Sequence, residues 1–379
     1  MSKINIKEFI NARTTPLASI FGSGFLVMVP ILVGTVGEYA TLAMFFIALL
    51  AYSVGSVIRY NIKYAEPILK EKSSKTASFF ERFSDLSLVI AYVVSVSLYL
   101  NILSAFVLTG LGYDSVLNEN ILTSTIIIFI TLIGVTKGLK PLEILEKYAL
   151  EITIFIVVLL IAAFGLYDYN IYSEFKSFTM PKQSTHSSYE IVAILAGMLI
   201  VVQGFETSRY LGKSYSSEMR IMTSRYSQIV STIIYLIFIT LALPVTHLLN
   251  GVYTDNSLIE LVKIVAPILV LPLIVVAALS QFSAAVADTL AATGNIEEVL
   301  VGRVSEKMAY LLVGVSAVVI TWNVGTLEIL ALASRAFAFY YLLQTIVAIT
   351  ISKSIVERFF MVLLALMLVF ITLFAIPAG

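Results

Sequence analysis

The chain has 379 residues, of which 59% are hydrophobic and 13% charged, and its formal net charge is zero. Soluble domains carry about 25% charged residues, so this composition predicts a protein embedded in a membrane. The balanced charge gives no sign of nucleic acid as a partner. The absence of cysteine excludes disulfides, Cys-ligated zinc, iron–sulfur clusters and a thiol nucleophile.

We predict eleven membrane spans, because apolar segments near the length needed to cross a ~30 Å hydrocarbon layer follow one another along the chain. No small-residue cleavage site follows the first of them, which indicates an uncleaved span and not a signal peptide. The predicted spans are 16–33, 39–62, 86–108, 121–135, 148–166, 191–211, 229–249, 262–291, 308–322, 327–351 and 355–374.

The basic residues orient these spans. With the N-terminus in the cytoplasm, cytoplasmic segments hold twenty of the 24 Lys and Arg residues, and the outer loops hold only Lys176, Lys182 and Lys263. Positive residues favour the cytoplasmic side, and one missed span would remove this asymmetry. The pattern predicts a multi-pass protein of the plasma (inner) membrane with a cytoplasmic N-terminus, an external C-terminus and lipid around it.

Two of the predicted spans carry, in mid-membrane, residues that disfavour a helix or that are energetically unfavourable to bury in lipid. The first contains Gly22-Ser23-Gly24, whose residue types are poor helix formers, although small residues also allow close packing of membrane helices. The sixth contains Gln203-Gly204-Phe205-Glu206, in which a buried carboxylate indicates a functional site. Glu206 can instead cap a half-helix, and that role also requires an interruption.

The two interrupted spans each open a set of five. We predict a cytoplasmic segment 1–15, a first repeat 16–166, an outer loop 167–188, a second repeat 189–351 and an extra C-terminal span within 352–379. Five is odd, so the second repeat is inverted relative to the first. Interrupted helices at matching positions of inverted halves indicate a transporter's midplane site, where free backbone groups replace a solute's hydration shell.

At these residues the chain resembles the amino acid–polyamine–organocation (APC) superfamily, whose members have the LeuT fold. The matching features are Ile-Phe-Gly-Ser-Gly-Phe at 20–25, Gly-Phe-Glu at 204–206, and the polar stretch after it at 210–212 and 218–220. The resemblance implies alternating access and a small polar organic solute, often an amino acid. Backbone groups at 22–24 would bind its carboxylate and those at 203–205 its amino group. Eleven spans are one fewer than is usual in the family.

The resemblance also implies a candidate sodium site. In many LeuT-fold symporters, hydroxyls of the eighth span and carbonyls of the first span bind Na⁺; here these are Ser280 and Ser283 with Ser19 and Ile20. Membrane serines can instead hydrogen-bond to their own helix. Asp288 lies nearer the cytoplasm and is a candidate for pairing with a loop cation or for gating the inner exit. Na⁺ and H⁺ both stay open as coupling ions.

Further polar and aromatic residues lie in the predicted spans. Glu151 of the fifth span is a candidate for a cation site or for carrying a proton, or it forms a surface pair with Lys147. Tyr92 and Tyr99 of the third span, like Phe205, are candidates for lining the solute site.

Arg335 is the only basic residue placed well inside a predicted span. Such an arginine needs a partner. It can act as an outer gate charge, bind an anionic group of the solute, or pair with Glu328 or Asp255.

We therefore predict an all-α polytopic membrane protein with a LeuT-like five-plus-five inverted repeat that acts as a secondary transporter. It takes a small-molecule solute and uses no cofactor. An enzyme is disfavoured because the two histidines, His186 and His247, lie near outer span ends and form no catalytic set. A channel is disfavoured because two dissimilar breaks in one chain make no repeated filter. Exchange or uniport, and a nucleobase as the solute, stay open, and no pattern indicates the oligomeric state.

Overall fold

The computed structural model describes residues 5–139, 144–182, 185–300 and 303–378, without the side chains of Ser23 and Ile144. All regular secondary structure in this part of the chain is helical. Its α-helices are α1 (Ile6–Ala12), α2 (Thr14–Gly24), α3 (Met28–Val36), α4 (Ala40–Tyr60), α5 (Glu66–Lys70), α6 (Lys75–Leu111), α7 (Val116–Lys137), α8 (Ile144–Phe175), α9 (Ser188–Ala196), α10 (Ser217–Ala242), α11 (Ser257–Val265), α12 (Val270–Leu300), α13 (Glu306–Asn323), α14 (Thr326–Ile351) and α15 (Ile355–Phe374).

Eight helical segments of the described residues are long and apolar enough to cross a membrane. The predicted spans outside this set are the first and sixth, which are interrupted, and the ninth, which corresponds to α13 and begins with Glu306 and Lys307. Several helices extend beyond the predicted apolar segments; α6, for example, begins at Lys75 and not at residue 86. The prediction followed hydropathy, which does not detect polar helical turns that project from the membrane.

α6 lies at the centre of the bundle and packs along α12 and α14. Its buried faces carry small polar residues, among them Ser84, Ser95, Ser97 and Ser104. Small side chains allow helices to approach closely, and hydroxyls can hydrogen-bond across the contact or back to the helix. The predicted arrangement of two broken helices within an all-helical bundle is confirmed, and α15 packs against α14 as an additional helix.

Two ion pairs connect elements at the end of the bundle that carries α1 and α5, which we call the inner end, following the predicted orientation. Arg209 pairs with Glu81 of α6 at 2.6 Å and also contacts Gln344 of α14. Arg220 of α10 forms two 2.7 Å hydrogen bonds with Glu66 of α5. These pairs attach the segment after the sixth-span break to its neighbours, and bidentate arginine contacts fix geometry as well as charge.

Arg335 has a structural partner that the sequence did not indicate. Its guanidinium donates to the carbonyls of Thr372 at 2.8 Å and Leu373 at 3.0 Å, at the C-terminal end of α15. Glu328 instead accepts the Gly325 N–H at 3.1 Å and caps the start of α14. Of the three predicted roles, the ion pair with Glu328 or Asp255 is not formed among the described residues, because carbonyls at a helix end accept from the guanidinium. The gating and anion-binding roles stay predictions.

We expect Arg335→Ala to destabilise the protein by about 1–3 kcal/mol, because it leaves the terminal carbonyls of α15 without donors. The measurement is thermal unfolding of the detergent-purified protein. Lys263→Ala is the matched control: its 2.7 Å pair with Glu260 is about half exposed and should contribute little. Equal melting temperatures for the Arg335 variant and the wild type would contradict the capping role.

Candidate functional site

The first interruption lies just after the glycine motif and not within it. α2 remains helical through Gly24, the turn covers residues 25–27, and α3 begins at Met28. Both glycines are positions of close packing: a Cβ on Gly22 would lie 3.0 Å from Ala284 Cβ, and one on Gly24 would lie 2.6 Å from Val201 Cα. The motif therefore allows close helix contact, and the break follows beside it. The Ser23 side chain lies outside the described part of the chain.

The sixth interruption is longer. α9 is followed by a 3₁₀ segment at Leu199–Val202, Gln203 is extended, and Gly204 has φ 124° before a second 3₁₀ segment, Phe205–Lys213. A positive φ of this kind is open to glycine and strained for other residues. The predicted break is thus present, and Gly204 is its sharpest point.

The two interrupted spans cross with their backbones in contact. A Cβ on Gly204 would lie 2.6 Å from the backbone nitrogen of Ile20 and 2.7 Å from the carbonyl carbon of Ser19. With Gly24 against Val201, the spans meet at two places. The backbone of the sixth-span break therefore lies against α2 in the interior, close to the turn that follows it.

The Glu206 carboxylate lies inside the sixth-span break and is fully buried. One oxygen, Oε2, accepts the Gly204 N–H at 2.9 Å and the Tyr341 hydroxyl at 2.8 Å. The other, Oε1, has no hydrogen-bond partner among the described residues. Glu206 thus caps the backbone at the break, which was the alternative to a functional role. Its second carboxylate oxygen is left able to accept a hydrogen bond from another group.

Aromatic residues surround the break. Phe205 stacks on Tyr341 with ring centroids 5.3 Å apart, and Gln203 Nε2 donates to the Tyr99 hydroxyl at 2.9 Å. Tyr92 lies two turns before Tyr99 on α6, packs edge-on against Phe337 and lines the central cavity. The structure therefore brings both predicted tyrosines to the centre. Tyr341 was missed because nothing distinguishes it within an apolar span.

α14 contacts both parts of the broken sixth span. Ser334 Oγ donates to the carbonyl of Gly197 at 2.6 Å and accepts the Ile200 N–H at 3.0 Å. Two turns further along, Tyr341 holds the Glu206 carboxylate. One helix thus satisfies polar groups on either side of the interruption, which buried backbone groups need in place of water.

A cavity of about 1230 Å³ runs from the centre to the inner end. Its mouth carries exposed charged residues such as Lys70, Lys213 and Glu306, and its deeper part carries residues predicted for the site. These deeper residues are Ser19, Tyr92, Ser280, Ser283 and Asp288. Such a space is large enough to admit water and a small solute from the inner end.

Protein donors occupy the first-span carbonyls near the expected sodium site. The Ile20 carbonyl accepts from Tyr235 at 2.8 Å, and the Gly22 carbonyl accepts from Gln281 Nε2 at 2.9 Å. The Ser280 hydroxyl donates to the Ala277 carbonyl of its own helix at 3.3 Å, which was the predicted alternative to a role in binding sodium. Ser283 faces the cavity. Gln281 and Tyr235 were missed as site residues; Gln281 had a signal, a polar amide in mid-span.

Glu151 does not reach the cavity. It is exposed, and the described residues form no ion pair between it and Lys147, so the predicted surface pair is not formed. Its predicted roles in binding a cation or carrying a proton stay predictions. The face of α8 that lines the cavity instead carries Glu146, Leu150 and Thr153. Glu146 accepts from Thr15 at 3.3 Å. The helical spacing of 146, 150 and 153 could have indicated this face, from which position 151 departs.

Asp288 follows Ser280 and Ser283 along α12 and is buried, and its predicted gating role stays a prediction. The residue is 5% exposed, lines the cavity and accepts a hydrogen bond at Oδ2 from Ser95 of α6. No loop cation pairs with it in the described part of the chain.

Two broken helices that cross inside a helical bundle, above a cavity open to one side, define a transporter of the LeuT fold. Solved structures of this fold are similar over nearly the whole chain. MhsT in complex with L-phenylalanine has a TM-score of 0.64 at 13% identity and covers 98% of both chains. A Na⁺-coupled sialic acid symporter has a TM-score of 0.60 at 12% identity, over 97% of this chain and 90% of that one. An Eremococcus coleocola manganese transporter has a TM-score of 0.56 at 12% identity, over 99% and 87%.

The chain belongs to the APC superfamily of transporters, because the family described as APC superfamily transporter matches residues 2–375. An uncharacterized protein of Aquifex aeolicus (strain VF5) is 40% identical over 376 residues, which cover 97% of this chain and 91% of that protein. The predicted superfamily and fold are confirmed, and the protein is a membrane-embedded transporter.

Proposed function

We propose that the protein is a secondary active transporter of the plasma (inner) membrane that moves an amino acid or a related amine by alternating access. The crossing of the two breaks carries this proposal. The close approaches of Gly204 to Ser19 and of Gly24 to Val201 bring the backbones of both interrupted spans together beside a cavity that opens at the inner end. In this state a solute would exchange with the inner side.

The chemistry of the breaks suits a solute with an amino group. The unpartnered Oε1 of Glu206 and the backbone carbonyls beside it are acceptors that can bind an ammonium group. α3 begins directly after the turn at 25–27 without a side-chain cap, and the N-terminal end of a helix attracts anions such as a carboxylate. A solute held at both breaks would tie the two spans together, and their separation would release it.

The solved relatives bind different cargoes: L-phenylalanine, sialic acid and manganese. The fold is therefore compatible with many solutes, and the proposal for an amine rests on the residues of this chain. Coupling to Na⁺ or H⁺ is proposed from the sodium-coupled relative and from the buried carboxylates.

A second candidate is a Na⁺-independent exchanger of the same fold. The observation that favours it is the pair of bonds from Tyr235 to Ile20 and from Gln281 to Gly22. These donors occupy carbonyl oxygens that would otherwise help to replace the hydration shell of a cation. If the bonds persist through the cycle, transport proceeds without sodium.

The test is uptake of labelled amino acids and amines into proteoliposomes under a sodium gradient, a pH gradient, or unlabelled internal solute alone. We expect saturable uptake, and the gradient that accelerates it identifies the coupling ion. Uptake that only internal solute stimulates would favour the exchanger. If no small organic solute moves or binds, the transporter assignment of the site fails. Protein-free liposomes measure leakage.

A further inference from the structure

We propose that Asp288 binds a positively charged amino group of the solute, so that the transported solute carries a net positive charge. This inference rests on the proposed function and names its solute class. It is carried by a buried carboxylate that faces the cavity without a cationic partner.

The Asp288 carboxylate has fewer partners than a buried charge needs. Its side chain is 5% exposed, and its one hydrogen bond from the described residues comes from Ser95 to Oδ2. Oδ1 receives none and faces the cavity that Asp288 lines. A carboxylate at this depth without a partner is strongly disfavoured and marks a place for a cation.

Asp288 lies beside the sixth-span break through α6. Ser95, which bonds to Asp288, is one helical turn from Tyr99, which bonds to Gln203 of the break. Side chains four residues apart on a helix are about 5–6 Å apart at Cβ. Asp288 and the break therefore lie within the length of a solute of a few carbons, although Gln203–Glu206 are buried and do not line the cavity, so contact with both requires the break to open.

The wall of the cavity that Asp288 lines suits an organic ammonium group. Tyr92 and Phe21 line the same cavity, and aromatic faces attract cations. Thr153 also lines it, is 2% exposed as a residue, and its Oγ1 has no hydrogen-bond partner in the described chain. The described residues contain no group of three His, Cys, Asp or Glu that could hold a metal ion, which favours an amine over a metal.

The charges along the cavity exclude an anionic solute from its deep part. Arg209 lines the cavity but is bound to Glu81, and Lys70 and Lys213 are exposed at the mouth. Among the described lining residues, no buried basic side chain is left for a carboxylate to pair with. The potential along the path therefore favours the entry of a cation.

The experiment compares three related solutes on the purified full chain: L-lysine, L-norleucine, which lacks only the side-chain amine of lysine, and cadaverine, which lacks only its carboxylate. Thermal shift measures binding, and proteoliposome uptake measures transport. We expect L-lysine or cadaverine to bind at least about tenfold more tightly than L-norleucine, because losing one partner of a buried charge pair is costly. Equal or tighter binding of L-norleucine would overturn the inference.

Asp288→Asn should reduce binding of the cationic solute by about tenfold or more, because the amide keeps the shape but loses the charge. Ser95→Ala keeps the charge and should retain the preference for a cation. Asp168→Asn changes another buried carboxylate, which does not line the cavity, and should leave binding unchanged. An Asp288→Asn variant that folds and keeps the preference, or changes only the pH dependence of uptake, would overturn the inference.

The two proposals fail in different ways. Uptake of neutral amino acids with no cation preference would sustain the transporter and overturn the role of Asp288. Cation binding without uptake would sustain the site at Asp288 and overturn the proposed transport of an amino acid or amine. If none of the three solutes binds, the cationic class proposed here is wrong, whether or not other solutes are taken up.

Discussion

Gly204→Ala is expected to abolish transport. The Gly204 backbone has φ 124°, and a Cβ there would lie 2.6 Å from the backbone nitrogen of Ile20. The substitution therefore combines backbone strain of about 1–3 kcal/mol with a clash against an immobile backbone atom. Only separation of the first and sixth spans relieves the clash, and that separation removes the proposed solute site. We expect initial uptake to fall by at least about a hundredfold, the equivalent of roughly 2.8 kcal/mol.

Gly112→Ala is the control that separates the effect of backbone strain from the effect of the clash with the first span. Gly112 ends α6 with φ 75°, and an added Cβ would meet nothing within 4 Å. It has the backbone strain without the contact, so it should lower the melting temperature and leave uptake largely intact. Near-normal uptake by the Gly204 variant, in protein that reaches the membrane, would show that the spans do not need their close approach.

Glu206→Gln is the second change for which we expect a large loss. The amide oxygen can still accept from Gly204 and Tyr341, so the fold should be kept and expression should match the wild type. The charge is lost, and the new NH₂ group replaces Oε1, which has no partner in the described chain. A cationic group at this position would lose a buried charge partner, which we expect to reduce uptake by about thirtyfold or more.

Tyr341→Phe is the control for Glu206→Gln, because it changes the hydrogen bonding of the carboxylate without removing its charge. It removes one hydrogen bond to Oε2 and leaves the carboxylate and the Gly204 bond in place. Since one net hydrogen bond contributes about 0.5–1.5 kcal/mol, its effect should be several-fold smaller than that of Glu206→Gln. Wild-type uptake by Glu206→Gln would mean that the carboxylate serves only as a cap.

The positions of the two breaks could be predicted because their cause is local. The sequence shows a glycine and a carboxylate two residues apart in one apolar span, at Gly204 and Glu206. The break in the first span was placed a few residues too early. Gly22 and Gly24 remain helical and allow another helix to pack closely. The sequence alone does not show whether a glycine serves a turn of its own backbone or the close approach of a neighbouring helix.

Partners between distant spans could not be predicted from one sequence. Nothing in the sequence indicates that Ser95 of α6 hydrogen-bonds to Asp288 of α12. Three roles stayed open for Arg335, and the carbonyls at the end of α15, which accept from it, were in none of them. In both cases the contact depends on rotation and depth of packed helices. Hydropathy fixes neither, since it records which segments are apolar and not which faces meet.

The contacts of α14 bear on which parts of the molecule move. Ser334 holds the outer part of the sixth span and Tyr341 holds the part beyond its break, while Arg335 holds the end of α15. α14 therefore connects the two parts of the sixth span across its interruption, and neither part can move relative to the other without breaking buried hydrogen bonds. We expect the sixth span, α14 and α15 to move as one rigid body. Among the described residues, the first span has no such contact with α14 and would move relative to that body.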